Sequence, residues 1–290
     1  MTRSVSVVVS TYEWPEALDA VLRGLAEQTD PDFEVVVADD GSGPATAGVV
    51  ERWRRVFGPR LAHAWQEDGG SRLARVRNLG ALAARGDLLV FLDGDCIPRR
   101  RFVAAVRRAA LPGWFLAGKR VQLGPQLSRA VLETGLPVGR WSVVSFALRR
   151  RQIDRWIDLT PRDRRRPWRP RLPDFAPHSN AYGFLTAVRR PDFEAVNGFD
   201  LRFEGWGEED VDLAVRLRRS GLRCGFAGPG STVLHLWHAR NVDSRRRTWW
   251  LLEETKRSGR VRAVEGLREL EAELAVRASG WRRPADQPAR

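Results

Sequence analysis

Three runs of apolar, mostly β-branched residues each end abruptly in polar, acidic or glycine residues: "SVSVVVS" from Ser4, "FEVVVADDGS" from Phe33 and "LLVFLDGD" from Leu88. A strand that is apolar without alternation is covered on both faces, which requires helices on both sides of a sheet. Between the first two runs, Leu18, Val21, Leu22 and Leu25 recur at helical spacing, and Pro15 stands where a first helical turn tolerates it. The pattern continues with a helix near Thr46 to Phe57, a strand near Leu61 to Trp65, a helix near Ser71 to Arg85 and the strand Leu88 to Leu92. Alternation of this kind predicts an α/β fold with a mostly parallel, doubly wound, Rossmann-like sheet. Ligands of such sheets bind beyond the carboxyl ends of the strands, where Thr11-Tyr12-Glu13, Asp39-Asp40 and Asp93-Gly94-Asp95 fall.

The second half is less regular. "AGKRVQL" (Ala117 to Leu123) reads as one strand, and the Pro/Arg-rich stretch from Leu159 to Pro177 as a long loop. From Glu208 to Ser220 a helix is predicted, opened by the acids a helix N-terminus favours and stopped by Gly221, with Val211, Ala214, Val215 and Arg218 along one face and Leu213 and Leu217 beside it. From Asn241 the tail reads as helical and amphipathic.

Charge is unevenly distributed. The formal net charge is +13; residues 139–171 hold 11 Arg against 3 Asp, and residues 239–290 hold 13 Arg and Lys against 8 Asp and Glu. Two local basic regions point to contact with something anionic, such as a diphosphate, a lipid surface or nucleic acid, or simply to solvated arginine faces. The two cysteines, Cys96 and Cys224, form no CxxC pair and no zinc spacing, and no run approaches the roughly 18 apolar residues that span a bilayer. The expectation is a cytoplasmic protein.

Two carboxylates one residue apart at a strand end repel each other and resist desolvation unless a cation joins them. Mg²⁺ or Mn²⁺ does so, taking one or two carboxylates and the oxygens of a bound phosphate. Asp95, with Asp93 beside it, is therefore a candidate metal position. Glu208, Glu209, Asp210 and Asp212 crowd into five positions at a helix start, where the helix dipole lowers their pKa values while burial and mutual repulsion raise at least one. A raised carboxylate suits a general base. Trp206, between two glycines, offers a ring to the apolar face of a sugar or to the core. "FLDGD" also occurs in haloacid dehalogenase-like phosphatases, but there it usually sits on the first strand and is followed by Thr; here Cys96-Ile97 follow.

Thr11-Tyr12, Asp39-Asp40-Gly41-Ser42, Arg77-Asn78, "FLDGD" and "GWGEED", in that order, resemble a GT-A fold, family 2-type glycosyltransferase over roughly residues 4–238. The GWGxED block followed by histidines is similar to the C-terminal half of β-1,4-galactosyltransferases and of bacterial chondroitin-type polymerases. The resemblance implies a donor site of Thr11, Tyr12, Glu13, Asp39, Asp40, Arg72, Arg77, Asp93, Asp95 and Trp206. Within it, Thr11 and Asp39 or Asp40 would meet the nucleobase, Arg72 or Arg77 the base or diphosphate, and Asp93 the ribose or metal. It further implies Asp95 as the main metal ligand, with His238 or His235 joining it, Asp210 as the base and Glu209 on the sugar hydroxyls. An imidazole in the set favours Mn²⁺ over Mg²⁺. Retaining relatives carry Asn at the base position, so Asp210 implies inversion.

The implied function is a metal-dependent inverting glycosyltransferase that moves a sugar from a nucleotide-diphosphate sugar, with UDP the prior, to a glycan or lipid-linked hydroxyl in polysaccharide, glycolipid or glycoconjugate synthesis. The alternatives are a non-catalytic nucleotide-sugar-binding subunit and a protein binding an anionic surface, in which Trp156, Trp168, Trp249 and Trp250 interleave with Arg. Peripheral contact at the inner face of a membrane fits the basic regions better than nucleic acid does. The expected organisation is a nucleotide-sugar-binding half (1–115), an acceptor and catalytic half (116–238) carrying the basic insertion 139–171, and a basic helical C-terminal extension (239–290).

Overall fold

The computed structural model describes residues 4–142, 145, 152–156, 185–205, 207–239 and 245–280. The long loop read from Leu159 to Pro177, most of the basic insertion, Trp168 and Trp206 lie outside the described residues.

In the N-terminal part of the chain the order is β1 (Val5–Thr11), α1 (Pro15–Ala26), β2 (Glu34–Asp39), α2 (Pro44–Phe57), β3 (Leu61–Trp65), α3 (Leu73–Ala83), β4 (Leu88–Asp93), β5 (Cys96–Pro98) and α4 (Phe102–Ala109). Then come β6 (Trp114–Ala117), β7 (Arg120–Leu123), α5 (Pro125–Thr134), β8 (Ile153–Trp156), β9 (Leu185–Arg189) and α6 (Arg190–Ala195). The last described elements are α7 (Glu209–Arg219), β10 (Arg223–Gly225), β11 (Val233–His235), α8 (Arg245–Ser258) and α9 (Leu267–Gly280).

The main sheet has seven strands in the order β10-β6-β9-β4-β1-β2-β3. Strands β1 to β4 are parallel, as the uninterrupted apolar runs require, and β9 enters antiparallel between β4 and β6. Alternate residues of β1 feed two cores. Val7 and Val9 join Leu18 and Leu22 of α1 on one face, while Val8 joins Val76 of α3, Phe193 of α6 and Leu213 of α7 on the other. Val7, Val8 and Val9 are all fully buried, and each such side chain stabilises the fold by about 1.5–3 kcal/mol.

A second sheet, β5-β11-β7-β8, is entered by the chain just past the carboxyl end of β4. It corrects one expectation, because "AGKRVQL" is two strands in two sheets: Ala117 ends β6, and Arg120 begins β7. The break falls at Gly118, whose N–H donates to the Leu185 carbonyl at 3.0 Å. A Cβ there would lie 2.4 Å from that of Leu185, so only glycine lets β9 come this close.

The α7 face also differs from the sequence reading. The buried side is Glu209, Asp210, Leu213, Ala214 and Leu217, together with the pair Asp212 and Arg216, while Val211, Val215 and Arg218 are only partly buried. The Arg216 guanidinium donates to Asp212 from Nε and Nη2 at 2.8 and 2.6 Å and to the Val196 and Gly198 carbonyls at 2.8 Å each. A buried, hydrogen-bonded charge pair can occupy a core position that a hydrophobicity count gives to apolar side chains.

The C-terminal helices pack on the same core. Leu251, Leu252 and Leu267 belong to it, and Arg75 of α3 pairs with Glu273 of α9 at 2.7 Å. Among the described residues no helix is long and apolar enough to cross a membrane.

Candidate active site

Register sets the site. Thr11 lies opposite Asp39 across β1 and β2, and Ser10 opposite Asp93 across β1 and β4, so β2 and β4 deliver their acids to one edge on either side of β1. Gly94 turns the chain between the two acids of the DxD sequence. Its N–H donates to the Ser10 carbonyl at 2.8 Å, and a Cβ would lie 2.6 Å from that oxygen. The glycine is thus required by close approach of β1 and directs Asp93 and Asp95 to different neighbours.

Asp95 faces the histidines. Its Oδ2 lies 3.4 Å from Nε2 of His235 and 3.2 Å from Nε2 of His238. His235 arrives because β11 pairs with β5, opposite Cys96, and the Leu236 N–H donates to the Asp95 carbonyl at 2.9 Å. Behind the carboxylate, the buried Cys96 thiol donates to Asp95 Oδ1 at 3.3 Å. Spacing alone leaves the choice between the two histidines open; the structure brings both to the same oxygen. Ligand atoms of Asp95, His235 and His238 lie within 4.8 Å of one another. One carboxylate oxygen and two imidazole nitrogens converging in this way suit Mn²⁺ better than the all-oxygen preference of Mg²⁺. Burial works to raise Asp95, but the hydrogen bond from His238 and the nearby His235 hold it below its ordinary value. Burial lowers His235, whereas the hydrogen bond to Asp95 raises His238.

A second cluster surrounds Arg77, which is 3% exposed. Its Nη1 donates to Glu209 Oε1 and its Nη2 to Asp93 Oδ1, each at 2.7 Å, and the guanidinium lies 5.4 Å from the Phe199 ring centroid. Asp210, next in sequence to Glu209, accepts the Val211 N–H at 2.8 Å. Burial, with Asp210 beside it, pushes Glu209 up to about 7 against the pull of Arg77. Burial likewise raises Asp210 and Asp93. Three carboxylates, Asp93, Glu209 and Asp210, thus share one permanent cation. Such an arrangement favours an added positive charge.

The third cluster is polar and outer. Asp40 Oδ1 accepts Gln66 Nε2 at 2.5 Å and its Oδ2 accepts the Arg72 N–H at 2.7 Å, while its own N–H donates to the Thr11 carbonyl at 3.0 Å. Asp39 is fully buried, with Oδ1 accepting the Ser42 N–H at 2.8 Å and Oδ2 lying 3.0 Å from His63 Nε2. Burial opposes ionisation of both acids; the bonds from His63 and Ser42 prevail at Asp39, which is lowered, and burial prevails at Asp40, which is raised. Glu13, at φ +44°, accepts the Gly43 N–H at 2.7 Å. The Tyr12 ring is 52% exposed, with its hydroxyl 3.4 Å from Asp68, and the Arg72 guanidinium donates to the Glu67 carbonyl.

Sequence reasoning missed His63, Gln66 and Cys96. Only His63 left a signal, since the β3 register places it opposite Val37, two residues before Asp39.

A doubly wound sheet with acids at its carboxyl edge and a histidine-bearing second sheet defines the GT-A class. Residues 6–115 match the family described as glycosyl transferase family 2, and residues 171–238 match the one described as N-terminal domain of galactosyltransferase. The validoxylamine A glucosyltransferase of Streptomyces hygroscopicus subsp. jinggangensis (strain 5008) is 33% identical over 236 residues, 75% of this chain and 52% of that protein. The chain spans about half the length of the curated relatives it matches. Among solved structures, the Pyrobaculum calidifontis mannosyltransferase PcManGT, in complex with GDP-Man and Mn²⁺, superposes with a TM-score of 0.54 at 21% identity, over 98% of this chain and 78% of that one. S. aureus TarS 1-349 in complex with UDP gives 0.61 at 16% identity, over 94% of this chain and 70% of that one. The chain belongs to the family 2-type glycosyltransferases of the GT-A fold.

Proposed function

We propose that the chain transfers a sugar from a nucleotide-diphosphate sugar, UDP-linked by preference, to a hydroxyl of a glycan or lipid-linked acceptor, with inversion and with a divalent ion, Mn²⁺ before Mg²⁺. The observation that carries this reading is the convergence of His235 and His238 on one oxygen of Asp95 beside a cluster of raised carboxylates. Asp95, His235 and His238 would hold the ion, which supplies positive charge against the departing diphosphate.

The residues of the chain divide the remaining work. The outer cluster of Thr11, Tyr12, Glu13, Asp39, Asp40 and Arg72 frames the nucleoside. With both terminal nitrogens on carboxylates, Arg77 serves to hold Asp93 and Glu209 in place rather than to meet the diphosphate. Asp210 is the general base: its carboxylate accepts a hydrogen bond from its own helix, and its raised pKa brings it toward the range where a base works best. It takes the acceptor hydroxyl proton as that oxygen bonds to the anomeric carbon. The bond to the diphosphate breaks on the opposite face, and the nucleoside diphosphate leaves.

The test is nucleoside diphosphate release from UDP-, GDP- and dTDP-sugars with Mn²⁺ and a panel of hydroxyl acceptors, by wild type and Asp210→Asn. Turnover of one donor, falling by about 10²–10⁴ in the variant while donor binding persists, is expected. Equal turnover by the variant would remove Asp210 from the role of base.

A further inference from the structure

The segment between α6 and α7 leads into the acids Glu209 and Asp210, and its end is held in an uncommon backbone form. Gly205 and Gly207 have φ of +97° and +101°, and Glu208, which is not a glycine, has φ of +73° immediately before Glu209 and Asp210. A left-handed glutamate costs free energy and persists only where its surroundings fix it. One side of the segment is fixed by Ser71, whose carbonyl accepts the Gly205 N–H at 2.7 Å and whose hydroxyl donates to the Gly205 carbonyl at 3.2 Å.

The other side is fixed from the C-terminal extension. Thr248 of α8 is 1% exposed, and its hydroxyl donates to the Gly207 carbonyl at 2.8 Å. A buried hydroxyl requires such a partner, and this one lies in the peptide unit that leads into Glu208. Helix α8 is itself anchored. Leu251 and Leu252 are buried, and Arg219, the last residue of α7, donates to the Thr255 and Lys256 carbonyls at 2.6 and 2.7 Å. The helix therefore touches both ends of the acid-bearing element, Gly207 before it and Arg219 at its close. Neither family match reaches Thr248, since the second stops at residue 238.

We propose that Thr248 is a positioning residue: through the Gly207 carbonyl it holds the left-handed turn that aims Glu209 and Asp210, so that the C-terminal extension is part of the active site's framework. The consequence for activity rests on the transferase reading above; the consequence for the backbone does not.

The experiment uses the full chain as wild type, Thr248→Val and Thr248→Ser, followed by hydrogen–deuterium exchange and by turnover of whichever nucleotide sugar the wild type consumes. Valine keeps the shape and loses the hydroxyl; serine keeps the hydroxyl. With valine, exchange at amides 207–212 should rise by about fivefold, the effect of losing one ordinary hydrogen bond, while amides of β1 and β4 stay unchanged and serine restores the wild-type rate. Turnover should fall in kcat with donor KM retained, again restored by serine. Unchanged exchange at 207–212 in Thr248→Val, or an equal rise throughout the chain, would overturn the proposal. Localised exchange with no turnover by wild type would sustain the brace and remove the transferase reading instead.

Discussion

Replacing Arg77 by Met tests the charge balance of the site without emptying its volume. The guanidinium is almost fully buried and holds Asp93 and Glu209 at 2.7 Å each, with Glu209 side-chain exposure of 5%. Methionine keeps most of the packing against Phe199 but strands two carboxylates. Removing one partner of a buried pair costs about 3–5 kcal/mol, a large share of the roughly 5–15 kcal/mol that holds a domain folded. The loss depends on pH with a definite sign. Without the cation, Glu209 and Asp93 bind protons more tightly when folded than when unfolded. Stability of the variant relative to wild type is then best at low pH, where the acids are neutral, and worsens as pH rises through their folded pKa values. Urea denaturation in EDTA at pH 5 and pH 8 reads this directly. A deficit of about 3–5 kcal/mol at pH 8 that shrinks at pH 5, and is partly relieved by adding Glu209→Gln, is expected. A deficit under about 1 kcal/mol at pH 8, or one equal at both pH values, would refute the reasoning.

Other outcomes follow from the same geometry. Glu209 sits at about 7 in the folded chain, so in EDTA the wild type should lose about 2–3 kcal/mol relative to Glu209→Gln as pH rises from its ordinary value to 7, measured by denaturation at each pH. Gly94→Ala puts a methyl 2.6 Å from the Ser10 carbonyl and should cost about 1–3 kcal/mol, visible as a lowered Tm, with the larger effect on metal affinity because the adjacent Asp95 is displaced from His235 and His238. Asp212→Ala should destabilise by about 3–5 kcal/mol, because it leaves the fully buried Arg216 without its carboxylate. If that variant instead stayed fully stable, Asp212 would not be the structural acid of the cluster.

The parallel sheet was legible because β1, β2 and β4 are apolar without alternation, a pattern that only a sheet covered on both faces produces. The convergence of Asp95, His235 and His238 was legible only in part. Asp95 announces itself by position, but two histidines roughly 140 residues away reach it through the pairing of β11 with β5, a three-residue contact with no periodicity to read. Arg77 stood out in the sequence as a candidate and not as an ion pair, since its partners come from β4 and α7. Within the acid run, sequence could not tell Asp212, spent on Arg216 one turn later, from Asp210. In the basic tail, Trp249 and Trp250 are 57% and 58% exposed, whereas Arg260 is occupied by Glu254 and Ser258.

The proposed function turns on a metal-dependent diphosphate site at Asp95, His235 and His238. Calorimetric titration of UDP into wild type and Asp95→Ala, with Mn²⁺ and with EDTA, tests it most directly. Binding that requires Mn²⁺ and weakens by about tenfold or more in the variant is predicted. UDP binding that is equally tight in EDTA, or unaffected by loss of Asp95, would contradict it.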